Sequence, residues 1–581
     1  MKTQMLKNNL YFLWLFLLAT SPILAQDQDL GTESVTVVKN YAPVILIGAK
    51  PLIAPILKEV SWDQKRTLTY RIKEFPVASN FIPQLAAPDA LPAEKAPKSY
   101  NTLVHLGLGS RSTAALWADS QIKQSRYAHI GLQLMHNSMV QDLPEVDWDS
   151  NFFDTQLQGS YYFSKRKKHY QAGASLQHMA YSWYGMPIMQ GGIAQLSIAV
   201  PVYDLQQNYF STEIFGSFRQ DTGALESLSI RGGDFRDATQ SNAQKINIHG
   251  NGRFMLGDKP LFWNASYDFR SGQFSHPPLS SFDQNTGLGY QIHKVALNPV
   301  VELAGADAFF KLGSKIIYSN GLKIYPDIYG QYALVTDFVS AFARLSGDFN
   351  LNDYASFVQE NPFVSPSLEV LPSDQRYAFE LGVKGGGAAF SYTLSWMENS
   401  TNNQALFVQN PKNYLNAYEK QFNYGNSFEV VYDAIDTQRL GVGIEAAPLQ
   451  GLSLSGHYHR FDYTTTPAQE AWHLPKESAR IQLEYDFLTR FTLNGSWNYT
   501  GVRTARSSQM VQFIVPGPLP SEVFELPGFQ RLDAQLFYQA NDRLSVFVKG
   551  SNLTGSTYAL WSGFVAPPRI VMAGAQYRFD L

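Results

Sequence analysis

No cysteine occurs among the 581 residues. This excludes disulfides, thiolate metal sites and cysteine nucleophiles, and it argues against a small disulfide-stapled secreted domain. Neither charge sign is in marked excess. The 46 basic and 49 acidic residues leave a net charge of −3, so no nucleic acid or other polyelectrolyte partner is implied. Long apolar runs are equally scarce. Beyond the N-terminus the longest candidate is Tyr41–Leu57, which three prolines and Lys50 interrupt. It falls short of the roughly 20 residues that a membrane helix needs. Catalytic signatures are missing too. There is no Gly-x-Ser-x-Gly elbow, no His-Glu-x-x-His and no phosphate-cradling loop, so neither an enzyme activity nor a cofactor is expected.

The first 25 residues read as a secretory signal peptide. Lys2 and Lys7 give a positive start, Leu10–Ala19 is an apolar core, and Ile23-Leu24-Ala25 ends it before Gln26. No cysteine follows the expected cut, so a thiol-linked lipid anchor is excluded. Residues 26–96 form a second region, punctuated by Pro43, Pro51, Pro55, Pro76, Pro83, Pro88 and Pro92. Only Ser34–Val38 and Thr67–Lys73 read as strands within it.

From residue 97 onwards the pattern changes. Aromatics make up 14% of the chain, with 32 Tyr and 38 Phe, yet the sequence is polar on average. Apolar and polar residues must therefore interleave. Ala479–Phe487 shows how: Ala479, Ile481, Leu483, Tyr485 and Phe487 share one face, with Arg480, Gln482, Glu484 and Asp486 on the other. A turn at Leu488–Arg490 leads to Phe491–Thr500, which alternates in the same way. Tyr377–Lys384, Phe390–Met397, Arg531–Gln539 and Arg569–Leu581 repeat the pattern, and helical spacing is nowhere sustained after the signal.

Alternating strands build either a soluble sandwich or propeller, or a membrane barrel. Three features select the barrel. Charges sit in mid-strand on the polar face (Glu380, Lys384, Arg480, Glu484), which suits a watery lumen. Aromatics gather near segment ends, as an interface girdle requires: Tyr161, Tyr162 and Phe163, then Trp497 and Tyr499, then Tyr577 and Phe579. The chain also ends on a strand. The fold class is thus all-β, a transmembrane β-barrel spanning 97–581, of about 22 antiparallel strands within a range of about 20–24. Strand one is expected near Tyr100–Gly109. Outer loops are expected at Ser271–Asn285, Asn350–Asp374, Asn399–Asn426 and Arg503–Gly528.

Two stretches carry a family resemblance. Glu360–Gly386 (ENPFVSPSLEVLPSDQRYAFELGVKGG) resembles the segment that precedes a mid-barrel strand of TonB-dependent receptors, through Pro362, Pro366, Leu368, Pro372, Tyr377 and Glu380–Lys384. Leu544–Leu581 is similar to the closing signature of the same family, through Asn552, Leu553, Tyr558, Arg569, Gly574, Tyr577 and Phe579. The resemblance covers the barrel and implies the outer membrane of a Gram-negative bacterium, lipid contact and solute transport. It also implies a globular plug between signal and barrel. The short region 26–96 departs from that pattern, so a full plug is not expected. This leaves open an alternative role as scaffold or accessory subunit, with outer-membrane or periplasmic subunits as partners.

Glu33, Ser34, Val35, Thr36, Val37 and Val38 resemble a TonB box, which adds a strand to a periplasmic energy-coupling protein by β-augmentation. A strand lying in the lumen, or a tail without a partner, is the other reading. Trp62–Phe81 is a candidate lumen filler, or else a spacer. His457 and His459 share one side of a strand, but with no third ligand in reach they are expected to be polar wall residues and no metal is assigned. Asp348–Asp353 (DFNLND) has the oxygen spacing of a calcium loop without its turn glycine or its twelfth-position acid, and is expected to be a surface loop.

Overall fold

The computed structural model describes residues 98–581, except 145, 147, 186–204, 276–288, 337, 411–421, 423–424, 468 and 509–520. The segment expected to be a signal peptide (1–25) and the proline-rich region (26–96) lie outside the described residues. The same holds for the box-like run Glu33–Val38, the strand expected at Thr67–Lys73 and the filler candidate Trp62–Phe81.

Period-two alternation gives each strand one apolar and one polar face, and the sheet that results closes on itself. Twenty-two strands form it. The first, Thr102–Gly109, pairs antiparallel with Thr113–Lys123 on one edge and with the last, Ile570–Phe579, on the other. Val104 stands opposite Tyr577 across the closing seam, and Gly107 opposite Gly574. Closure leaves no unpaired edge, the condition for a sheet to cross lipid. Two short hairpins stand outside the barrel sheet, Arg503–Ser508 with Ser521–Leu526 and Ala559–Trp561 with Phe564–Val565.

Apolar residues on the outward face are left uncovered by the protein. Ile214 is 71% exposed, Ile324 65% and Leu108 63%, and Leu157, Leu312, Leu394, Leu440 and Val548 continue the belt. In a soluble protein so many exposed aliphatics would be a liability, whereas around a closed barrel they form the lipid-facing band of an outer-membrane protein. Tyr161 and Tyr577 point outward near one end of the barrel, as expected of a girdle. Tyr162 does not: one residue out of phase, it turns to the lumen and stacks on His129 at 4.6 Å.

The connections alternate in length. Arg166-Lys167, Gly257-Asp258 and Gln450-Gly451 are tight turns at the end that also carries the start of the first strand and the end of the last. Gly451 sits at φ +80, where a Cβ would come within 2.5 Å of the Asp486 carbonyl oxygen, so the turn requires glycine. The long connections, 351–372 among them, are all at the opposite end, which also has the short turns 110–112, 238–241 and 319–321. In outer-membrane barrels short turns face the periplasm and long loops face outward, which orients the chain.

Two loop expectations change at this outer end. Strand Phe390–Gln409 runs for 20 residues and pairs with the 22-residue strand Phe428–Leu449, so most of Asn399–Gln409 is strand rather than loop. The stretch Glu398–Gln404 is polar on both faces because it has left the lipid, and that hides its period. Asp348–Asp353 is no surface loop either. Asp348 lies in the strand Val339–Asn350 and binds Lys294 and Lys315 at 3.3 and 2.7 Å. Asp353 caps a helix, α1 (Tyr354–Glu360): its carboxylate accepts the Ser356 N–H at 2.7 Å and the Ser356 hydroxyl closes the reciprocal half of a capping box.

Candidate functional site

Among the described residues, the largest buried apolar cluster lies across the outer mouth of the barrel, not within its wall. Its centre is the connection 351–372, which leaves the strand Val339–Asn350, forms α1 and returns to Ser373–Gly387. Residues from widely separated sectors of the ring meet on it. Phe363 stacks on Phe564, from the connection before the last strand, with centroids 3.6 Å apart. It also meets Tyr184 edge-on at 5.9 Å. Phe428, fully buried, lies 5.9 Å from Phe564 and pairs with Val364 as an isolated parallel bridge. The segment therefore spans the mouth as a roof.

Polar groups fasten the roof at named points. The Pro362 carbonyl accepts the Trp183 indole N–H at 3.0 Å and the Tyr209 hydroxyl at 2.7 Å. Ser241 donates to the Pro366 carbonyl at 2.8 Å, and Tyr354 donates to Asp237 at 2.7 Å. Arg270 pairs with Asp353 at 2.8 Å, both side chains being largely buried. The four hydrogen bonds each satisfy a group that the roof takes out of water, and the ion pair offsets the charge of a largely buried guanidinium. Burial also pushes the Tyr354 hydroxyl well above its usual range, so it stays a donor.

The long hairpin Phe390–Gln409/Phe428–Leu449 is buried on both faces where it rises above the lipid. Phe407 and Phe428 face the roof, while Leu406, Val408 and Ile435 pack on Trp472. His473 sits behind them with only 7% of its surface exposed. Its Nδ1 binds the Phe407 carbonyl at 2.9 Å and its Nε2 accepts the Ser562 N–H at 3.4 Å, an arrangement for a neutral ring. Burial lowers its pKa to about 4.

Beneath the roof, the inner wall is made of ion pairs. Lys311 meets Asp327 at 3.2 Å, Arg439 meets Glu380 at 2.9 Å, and Glu213 is shared by Arg231 and Lys245 at 3.1 and 2.9 Å. The mid-strand charges expected to face a watery lumen do so. His457 and His459 stand on this wall beside Gly443 and Gly441, and among the described residues no cluster could hold a metal ion. The box-like residues Glu33–Val38 lie outside the described residues and so are placed by none of this geometry.

The roof segment, expected from the sequence to be an outer loop, is instead the centre of a core. The signal was present in the non-alternating stretches: Trp183-Tyr184, Phe363, Phe422, Trp561 and Phe564 are large apolar residues where alternation has stopped.

No protein-family model and no curated protein matches the chain. Solved structures do. The siderophore receptor PirA from Acinetobacter baumannii aligns with TM-score 0.60 at 10% identity, covering 84% of this chain and 81% of its own. The pyoverdine outer-membrane receptor FpvA from Pseudomonas aeruginosa PAO1, bound to pyoverdine, gives 0.57 at 15% identity over 84% and 79%. The ferric-catecholate import receptor Fiu from Escherichia coli K12 gives 0.56 at 11% over 83% and 82%. The described chain thus has the 22-stranded barrel fold of TonB-dependent outer-membrane receptors.

Proposed function

We propose that the protein carries a solute across the outer membrane, with the segment 351–372 as its outer gate and the paired inner wall as its path. The observation that carries this reading is the wall itself. A ring of 22 strands is too wide for its own side chains to fill. Its inner face is also lined with partly exposed ion pairs rather than with packed apolar residues. Likeness to receptors named for siderophores and for ferric-catecholate import supports the transport class. Within it, Glu33–Val38 would pair with a TonB-type coupling protein by adding a strand. Uptake profiling of a deletion strain, and of a strain lacking only residues 33–38, tests both parts. Loss of uptake of a nutrient in both supports coupled transport. Normal uptake of every nutrient in both strains removes the reading.

One observation favours a second role, as a scaffold within a larger outer-membrane complex: the mouth is closed by a dry aromatic cluster whose contacts would have to part to admit anything. A stoichiometric outer-membrane partner that co-purifies with the barrel would support that role over simple transport.

A further inference from the structure

On the inner wall near the short-turn end is a cavity of about 680 Å³, walled by residues 304–309, 384–387 and 391–393 together with Thr336, Phe338 and Ser340. Its chemistry sets it apart from the wall above. Lys294, Lys311, Lys315, Lys323 and Arg439, in the same sector, each lie within reach of a carboxylate. Two cations in that sector do not. Among the described residues, neither Arg344 nor Lys384 has a carboxylate within 4.0 Å. Glu380, which stands opposite Arg344 in register, is engaged by Arg439 instead.

Both unpaired cations converge on one ring. The Arg344 guanidinium lies 5.5 Å from the Tyr329 centroid and the Lys384 ammonium 5.9 Å from it. Lys384 also donates to the Tyr329 hydroxyl at 3.2 Å, which in turn donates to Gln331 at 2.9 Å. This holds the ammonium in place while leaving donors of its NH₃⁺ unspent. In register, Lys384 is flanked by Ser340 on one neighbouring strand and Thr393 on the other, and both line the cavity. Beyond Lys384 the chain reads Gly385-Gly386-Gly387, and a Cβ on Gly387 would meet only open space. A positive charge on a row that Ser340 and Thr393 flank in register, next to side-chain-free Gly387, is a lining that selects anions in a pore. Asp307 stands at the rim of the same cavity, so the attraction is local to the Lys384 row.

We propose that this row is a binding site for an oxyanion, a carboxylate or phosphate group borne by a solute passing along the wall or supplied as free phosphate. It rests on the reading of the lumen as a solute path, and it narrows the cargo to the anionic class.

The test is calorimetric titration of the full-length, detergent-solubilised protein with inorganic phosphate and, separately, with citrate, at fixed ionic strength set by chloride. Saturable binding that Lys384→Gln weakens at least about tenfold is expected, because a charge-assisted bond carries that much. Arg344→Gln should weaken it less. Lys323→Gln, which removes a cation already paired with Asp374, should leave it unchanged. Retained heat-modifiable gel mobility shows that each variant folds. Citrate binding in preference to phosphate assigns the site to a polycarboxylate solute, and the reverse preference assigns it to phosphate. No saturable heat with either probe, or equal affinity in Lys384→Gln, overturns the site. Anion binding with intact uptake in Lys384→Gln removes the link to transport but keeps the site. Lost uptake without anion binding does the opposite.

Discussion

The roof and the wall of this barrel are held by opposite physics. Across the mouth, Trp183, Tyr209, Tyr354, Phe363, Phe428 and Phe564 pack as a buried apolar cluster, with the Trp183 indole and the Tyr209 hydroxyl both donating to the Pro362 carbonyl. Along the wall, lysines and arginines meet carboxylates in a wet lumen, where each pair contributes little. Stability of the barrel itself comes from neither. It comes from the closed hydrogen-bond ladder and the lipid belt. The two regions should therefore fail separately, and the roof should be the part that mutation and pH can open.

Phe363→Ala has the largest expected effect. Phe363 is stacked on Phe564 and held edge-on by Tyr184, so its loss should cost the roof about 3–5 kcal/mol. Limited proteolysis should then cut within residues 351–372, while the barrel keeps its heat-modifiable mobility. Equal protease resistance in variant and parent would mean that Phe363 does not hold the roof.

Acid should act next most strongly, through His473. The ring is neutral in the folded roof, with its pKa lowered by burial from 6.5 to about 4. Between those values the unfolded segment binds a proton that the folded one refuses. Roof stability should thus be intact above pH 6.5, fall as the pH drops towards 4, and level off below it, by about 3 kcal/mol in all. Hydrogen exchange of the roof amides followed from pH 7 to pH 4 would measure this. His473 sits at φ +58, which asparagine also tolerates. His473→Asn should therefore flatten the pH dependence, and an unchanged profile in that variant would assign it to another group.

How far these regions were legible in the sequence follows from the same contrast. The wall was readable because lipid on one side and water on the other write a period of two into every strand, as in Ala479–Phe487. Closure, the turn at Leu488–Arg490 and a count near 22 followed from that period. Tyr162 slipped because composition near a strand end does not reveal phase. The roof was not readable in this way. Its contacts join residues far apart in the chain, such as Trp183 with Pro362 and Phe363 with Phe564, and no local period records them. Above the lipid, Glu398–Gln404 is wet on both faces, so even a genuine strand loses its signature there.

A smaller effect is expected at the start of α1. Asp353→Ala removes the cap on the Ser356 N–H and leaves Arg270 without its carboxylate. The expected cost is about 2 kcal/mol, the upper end for loss of an N-cap. Asp353→Asn keeps an acceptor for the cap and gives up only the ion pair, so it should cost less. Hydrogen exchange at Tyr354–Glu360 separates the two, and equal protection in both variants would mean that Arg270 alone carries the effect.

The wall should barely respond. Lys311→Met breaks the pair with Asp327, but the lysine side chain is 36% exposed. Asp327 also retains the Asn298 amide at 2.9 Å and has Lys315 nearby. The remaining carboxylate is therefore neither dry nor alone, and the loss should stay under about 1 kcal/mol. Thermal unfolding of the barrel and proteolysis of the roof should both match the parent. If this variant opened the roof as Phe363→Ala is expected to, wall and roof would be one cooperative unit rather than two regions that fail separately.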